Sequence, residues 1–171
     1  MHICAKCHLI GSGCCFLKQD EKKFMFGLTL DEIKKIEKET GLEQYQIVKT
    51  DFVDQTFADN LRNFDEIFEN TFLNDKRFRL QIENNVCRFL TEIGCKLPVD
   101  VRPYYCRLYP FWVQNGEVII VGADTCEAKK DTDSVDECLK LMNVSKEEVY
   151  QLHKAYLESS RKHKKLMELF K

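Results

Sequence analysis

Cys4-Ala-Lys-Cys7-His8-Leu9-Ile10-Gly11-Ser12-Gly13-Cys14-Cys15 puts four thiols within twelve residues. Two residues between Cys4 and Cys7 let both sulfurs reach one ion while backbone amides turn toward them. Gly11 and Gly13 allow the tight turning that brings thiols together. Cys14 and Cys15 are neighbours, and in extended backbone neighbouring side chains point to opposite sides. Two such thiols would serve different metals, or different atoms of one polynuclear centre. A vicinal disulfide is the competing reading, and its geometry is strained. A second thiol-bearing stretch, Cys87 through Cys95 to Cys106, is placed to complete the site. The two stretches are expected to fold around metal.

The 171 residues suit one domain, 1–171, with a cysteine-rich region over 4–126 and a helical extension over 134–171. Hydrophobic residues make up 44%, enough for a packed core. Lys and Arg number 26 against 28 Asp and Glu, so no net charge draws the chain to nucleic acid or to an anionic membrane. No apolar run has the length of a bilayer span. The first residues lack a basic segment followed by an apolar one, so a cytoplasmic location is expected. In that reducing setting nine cysteines read as ligands or redox groups more readily than as a disulfide framework.

The pattern along the chain predicts mixed structure. Phe24, Phe26 and Leu28 alternate as in a short strand. Thr29 and Glu32 form a capping box ahead of Ile33 and Ile36, and Gly41 stops that helix. Phe64, Phe68 and Phe72 recur every four residues, which predicts a helix over 58–73. Residues 78–97 fit either a helix or hairpins, and Asn84-Asn85 favours hairpins. Asn115-Gly116 precedes a strand over 117–121. Helices follow over 134–142 and from Ser145, which pairs with Glu148 in a second capping box. Cys138 lies on the first of these among apolar neighbours, where core and ligand readings both stand. The basic run Arg161-Lys162-His163-Lys164-Lys165 reads as a solvated helix face near a C-terminus.

These residues resemble a known family, the YkgJ-type or CxxCxxCC proteins, described as zinc- or iron-chelating. The resemblance rests on Cys4-x-x-Cys7, Gly13 with Cys14-Cys15, Cys87-x-Phe89-Leu90, Gly94-Cys95 and Arg102-Pro103-x-x-Cys106-Arg107-x-x-Pro110-Phe111. The motifs run in the family's order over roughly residues 4–126. Six residues separate Cys7 from Cys14, more than the family's name suggests, and Lys96-Leu97-Pro98 replaces the usual aromatic after the Gly-Cys element. The resemblance implies about eight metal-directed cysteines: Cys4, Cys7, Cys14, Cys15, Cys87, Cys95, Cys106 and Cys126. It implies a small metal-stapled α+β domain, with short antiparallel strands and loops around the cysteine site and helices packed around it and at the C-terminus. Arg102 and Arg107 beside Cys106 would offset thiolate charge and donate hydrogen bonds to sulfur.

No catalytic motif is identified, and non-enzymatic metal binding through a [4Fe–4S] cluster or zinc is the favoured expectation. A cluster would have a redox or sensing use and an unidentified protein or electron-transfer partner. The alternative is a structural zinc module. An accessory part of a protein-modifying enzyme is a third reading, since flagellin lysine methylases contain a related cysteine-rich region. Cys4-x-x-Cys7-His8 also matches the c-type haem attachment pattern, which needs export and leaves the later cysteines unexplained. A thioredoxin-like pair would need a preceding strand. No nucleophile motif accompanies His153 or His163.

Overall fold

The computed structural model describes residues 14–17, 25–72, 75–121, 126–130 and 132–169. Cys4, Cys7, His8, Gly11, Gly13 and Phe24 lie outside the described residues. The described chain mixes helices with short antiparallel hairpins, as the α+β expectation requires. No described helix is long and apolar enough to cross a membrane.

Helix α1 spans Leu30–Thr40. Its capping box is formed as expected: Thr29 Oγ1 accepts from the Glu32 amide, and Glu32 accepts from the Thr29 amide. Ile33 and Ile36 are buried on one face. Gly41 ends the helix at φ 67, a left-handed conformation that only glycine adopts without steric cost. A short helix α2, Gln44–Ile47, leads into strand β1, Val48–Phe52. β1 pairs antiparallel with β2, Lys76–Leu80, with Val48 opposite Leu80 and Phe52 opposite Lys76. Arg77 and Arg79 of β2 both pair with Asp51 across the ladder, and Arg77 also donates to the Met25 carbonyl.

Helix α3, Gln55–Phe64, lies between these strands, followed by a 3₁₀ helix, Glu66–Thr71. The single helix expected over 58–73 is therefore broken at Asp65, which is extended at φ −159. Its carboxylate accepts from the Ile67 amide and from Trp112 Nε1, both at 3.1 Å. The phenylalanine repeat still packs, since Phe64 and Phe68 both lie against Trp112. A buried indole N–H needs an acceptor, and Asp65 leaves the helix to supply it.

Two small hairpins follow, as Asn84-Asn85 suggested. β3, Ile82–Glu83, pairs with β4, Val86–Cys87, and β5, Leu90–Thr91, pairs with β6, Gly94–Cys95. Asn84 and Asn85 have φ of 50 and 66. Consecutive left-handed residues suit a two-residue hairpin turn, and asparagine tolerates them best after glycine. Helix α4, Tyr104–Leu108, precedes β7, Phe111–Gln114, and β8, Glu117–Ile120, which turn at Asn115-Gly116. The C-terminal pair is α5, Val135–Met142, capped by Ser134, and α6, Lys146–Glu168, with the expected cap at Ser145. The strand expected near 24–28 is not formed. Residues 25–29 are irregular, and the Leu28 amide bonds to the Phe78 carbonyl at 2.8 Å.

Packing falls into two apolar clusters. The larger gathers Phe68, Phe111, Trp112, Leu139, Val149 and Tyr156. The smaller gathers Ile33, Ile36, Ile47, Leu80, Phe89 and Leu97, with Cys15, Cys87 and Cys95 at its edge. A buried polar seam joins α1 to α6. Thr29 Oγ1 and Ser159 Oγ are 2.9 Å apart, and the Leu30 amide donates to His163 Nδ1 at 3.1 Å. His163 is thus not part of a solvated basic face, although its neighbours Arg161, Lys162, Lys164 and Lys165 are exposed.

Accepting at Nδ1 requires a neutral imidazole with its proton on Nε2. Burial lowers the His163 pKa, partly opposed by Asp31, so the unfolded chain binds the proton more tightly. Stability from this contact is present above about pH 6.5 and lost as pH falls through the folded value. We expect His163→Gln, whose amide oxygen can still accept, to show a smaller loss than wild type in this range. Urea midpoints from about pH 7.5 to 5.5 measure the difference.

Candidate metal centre

The hairpins place Cys87 and Cys95, and residues 14–17 bring Cys14 and Cys15 to the first of them. The Cys87 amide donates to the Cys15 carbonyl at 2.9 Å, and the Leu17 amide donates to Asn85 at 2.8 Å. Phe16 bridges Val86 in antiparallel sense. Residues 15–17 thus lie alongside β4, and Cys15 stands directly across from Cys87. Such cross-strand neighbours sit close enough for their side chains to touch. Each thiol shifts the pKa of the other.

Cys14 and Cys15 depart from the sequence expectation. They lie in a turn rather than an extended segment, and the two thiols are near enough for Cys14 to act on the Cys15 pKa. The Cys15 pKa is raised, first by Cys14, and Cys87 acts the other way.

Each hairpin sets polar groups near a thiol. The amides of Phe89 and Leu90, two and three residues further on, act to lower the Cys87 pKa. The Leu97 amide and the Arg102 guanidinium act to lower that of Cys95. Gly94, at φ 108, supplies the turn before Cys95. Arg102 Nε also bonds the Leu97 carbonyl at 2.9 Å, and Nη2 reaches the Cys95 carbonyl at 3.3 Å. One guanidinium thus fixes the whole Cys95 loop. These donors favour the thiolate, while other effects oppose it. The Cys87 pKa is raised first by Cys15 and then by burial, and that of Cys95 is raised by burial.

Cys106 comes from α4, which is positioned from a distance. Glu32 Oε1 accepts from the Tyr104 amide at 2.7 Å, so this carboxylate caps α4 as well as α1. Cys106 keeps an exposed surface, yet desolvation by the packing around it raises its pKa, reinforced by Cys15, Cys87 and Cys95. These four thiols therefore lie within electrostatic reach of one another. Tyr105, stacked on Phe26, lies within reach of Cys14, Cys106 and Cys126. Cys126 is buried. Cys138 is fully buried, and its thiol donates to the Ala128 carbonyl at 3.0 Å, the behaviour of a satisfied core cysteine.

All seven described cysteines are free thiols. Among the described residues, no group of three or more His, Cys, Asp or Glu side chains is arranged to hold a metal ion. The observed contacts are pairwise: Cys14 with Cys15 and Cys15 with Cys87. Arg102 acts on the Cys95 thiol rather than on Cys106, and among the described residues Arg107 Nε is buried without a hydrogen-bond partner. Sequence reading missed Glu32 as the second cap, because nothing local marks a bond to Tyr104. No protein-family model matches the chain, and no match was found among curated proteins or solved structures.

Two outcomes follow from this placement. Glu32→Ala should destabilise the protein by about 3 kcal/mol, because the amides of Thr29 and Tyr104 lose their acceptor in a buried position. Chemical denaturation measures this. In chelator-treated protein, a thiol reagent should label exposed Cys14 early and Cys138 last, as peptide mass mapping would show. Early labelling of Cys138 would contradict its placement in the core.

Proposed function

We propose that this chain is a non-enzymatic metal-binding protein whose centre is held by cysteine thiolates. Cys15, Cys87, Cys95 and Cys106 would form its nucleus, with Cys4, Cys7, Cys14 and Cys126 as the remaining ligands. The observation that carries this reading is the register that sets Cys15 opposite Cys87, with the Cys87 amide on the Cys15 carbonyl at 2.9 Å. Beside it, the amides of Phe89 and Leu90 act to lower the Cys87 pKa, and the Leu97 amide and Arg102 act to lower that of Cys95. Such donors stabilise a thiolate, and outer hydrogen bonds of this kind orient and tune metal ligands. They have little use around an ordinary buried thiol, which packs as a small apolar group.

The donor chemistry fits the group. An all-thiolate set suits a [4Fe–4S] cluster or tetrahedral zinc. Bound, a cluster would supply electron transfer or redox sensing, and zinc would supply folding stability. The motif resemblance to YkgJ-type proteins supports the same reading. The chain's own part is to hold the sulfurs close, turn amides toward them and offset their charge with Arg102. The nearness of Cys15 to Cys14 and Cys87 supports the reading, since a cation there would relieve like-charge repulsion on deprotonation.

Metal analysis with a visible spectrum, on protein purified without oxygen, tests the proposal. Iron with sulfide and a brown chromophore identifies a cluster. Colourless protein with about two zinc ions per chain identifies two four-cysteine sites. Neither metal sinks the reading. Cys15→Ser should lower bound metal and speed proteolysis. If zinc is present, its removal should cost on the order of 10 kcal/mol of folding free energy. Unchanged metal and unchanged stability in Cys15→Ser would remove Cys15 from the ligand set.

A further inference from the structure

Beside the cysteine region an open cleft of about 500 Å³ separates α4 from α6 and the loop after α5. The volume is in the range of small-molecule sites. Val99, Met142, Val144, Leu152 and Ala155 supply apolar wall, and Arg102 and Arg107 supply positive charge. The acid that lines it, Glu148, is already engaged: Oε2 accepts from the Ser145 amide and hydroxyl at the start of α6.

The two arginines differ in a way that matters. Arg102 is committed to the Cys95 loop through its bonds to the Leu97 and Cys95 carbonyl oxygens. Among the described residues, Arg107 has a buried Nε with no hydrogen-bond partner. A buried guanidinium N–H without an acceptor is costly and uncommon in a folded protein. A planar guanidinium is also the side chain best shaped to grip a carboxylate or phosphate through two parallel bonds.

We propose that this cleft binds a small amphiphilic oxyanion, a carboxylate or phosphate ester on an apolar body, with Arg107 as its anchor. The oxyanion takes the guanidinium of Arg107, and the apolar body lies against Leu152, Met142 and Val144. The site is distinct in chemistry from the thiolate centre, though Cys106 lines its edge.

The test uses the full chain as purified, with phenyl phosphate and phenylacetate as probes and benzyl alcohol and inorganic phosphate as controls. Titration calorimetry should show one of the two probes binding with Kd below about 1 mM. It should bind about tenfold more tightly than either control, which each offer half of the recognition. The tighter probe identifies phosphate or carboxylate as the ligand's charged group. Arg107→Gln should weaken that probe by about tenfold or more, losing the bidentate charged contact. In case this variant misfolds, ¹⁵N NMR of wild type should show the Arg107 Nε–H resonance moving on titration. No binding of either probe, equal binding of benzyl alcohol, or an unmoved Arg107 Nε–H would overturn the proposal. Metal content measured on the same samples separates the two proposals: metal retained with no probe binding removes the cleft site alone.

Discussion

One carboxylate carries much of the architecture. Glu32 is almost wholly buried, and its two oxygens take three donors: Tyr104 N–H on one, Thr29 N–H and Oγ1–H on the other. Thr29 Oγ1 in turn lies against Ser159 of α6. The starts of α1 and α4 and the middle of α6 therefore meet at a single side chain. Desolvation raises the Glu32 pKa, and the donors from Thr29 and Tyr104 oppose it. A buried acceptor with its lone pairs used is tolerable, whereas the same group short of partners would be strongly destabilising. Because α4 carries Cys106, the placement of that thiol depends on a contact made 72 residues away in sequence.

What could be read from the sequence divides along the same line. Capping boxes at Thr29 and Ser145, the stop at Gly41 and the turns at Asn84-Asn85 and Asn115-Gly116 were legible, because each is settled by residues within a few positions. Asp65 was not, since its helix-breaking conformation answers Trp112, an indole 47 residues on. Nor was His163 legible: the basic run around it marks a solvated face, and only the packing of α6 on α1 turns that one ring inward. The cysteines were legible as a chemical set but not as neighbours. That Cys15 lies opposite Cys87 follows from strand register between distant segments, which no local signal encodes.

The turn at Cys14-Cys15 changes what the pair can mean. Extended backbone would have split the thiols between two directions and favoured a polynuclear centre. Because the thiols lie near each other in a turn, one mononuclear site could use both, and the pair no longer separates zinc from a cluster. Under the proposed metal-binding reading, the amides and guanidinium near Cys87 and Cys95 would suit either metal, and its identity would rest on chemistry outside these contacts, such as sulfide supply and oxygen exposure.

Arg102 and Arg107 occupy matching places around Cys106 in sequence yet do different work. Arg102 closes the Cys95 loop through two carbonyls, so its charge is spent next to the Cys95 thiol. Arg107 lies one residue past Cys106 on a helix of five residues, which turns it toward the cleft against α6. A motif with two arginines flanking one cysteine thus need not put both charges on the same centre. One guanidinium can tune the sulfur site while the other faces an adjoining cavity, and Cys106 between them links the two. An anion held at Arg107 would then alter the field at Cys106, since charges this close are only partly screened by the surrounding protein.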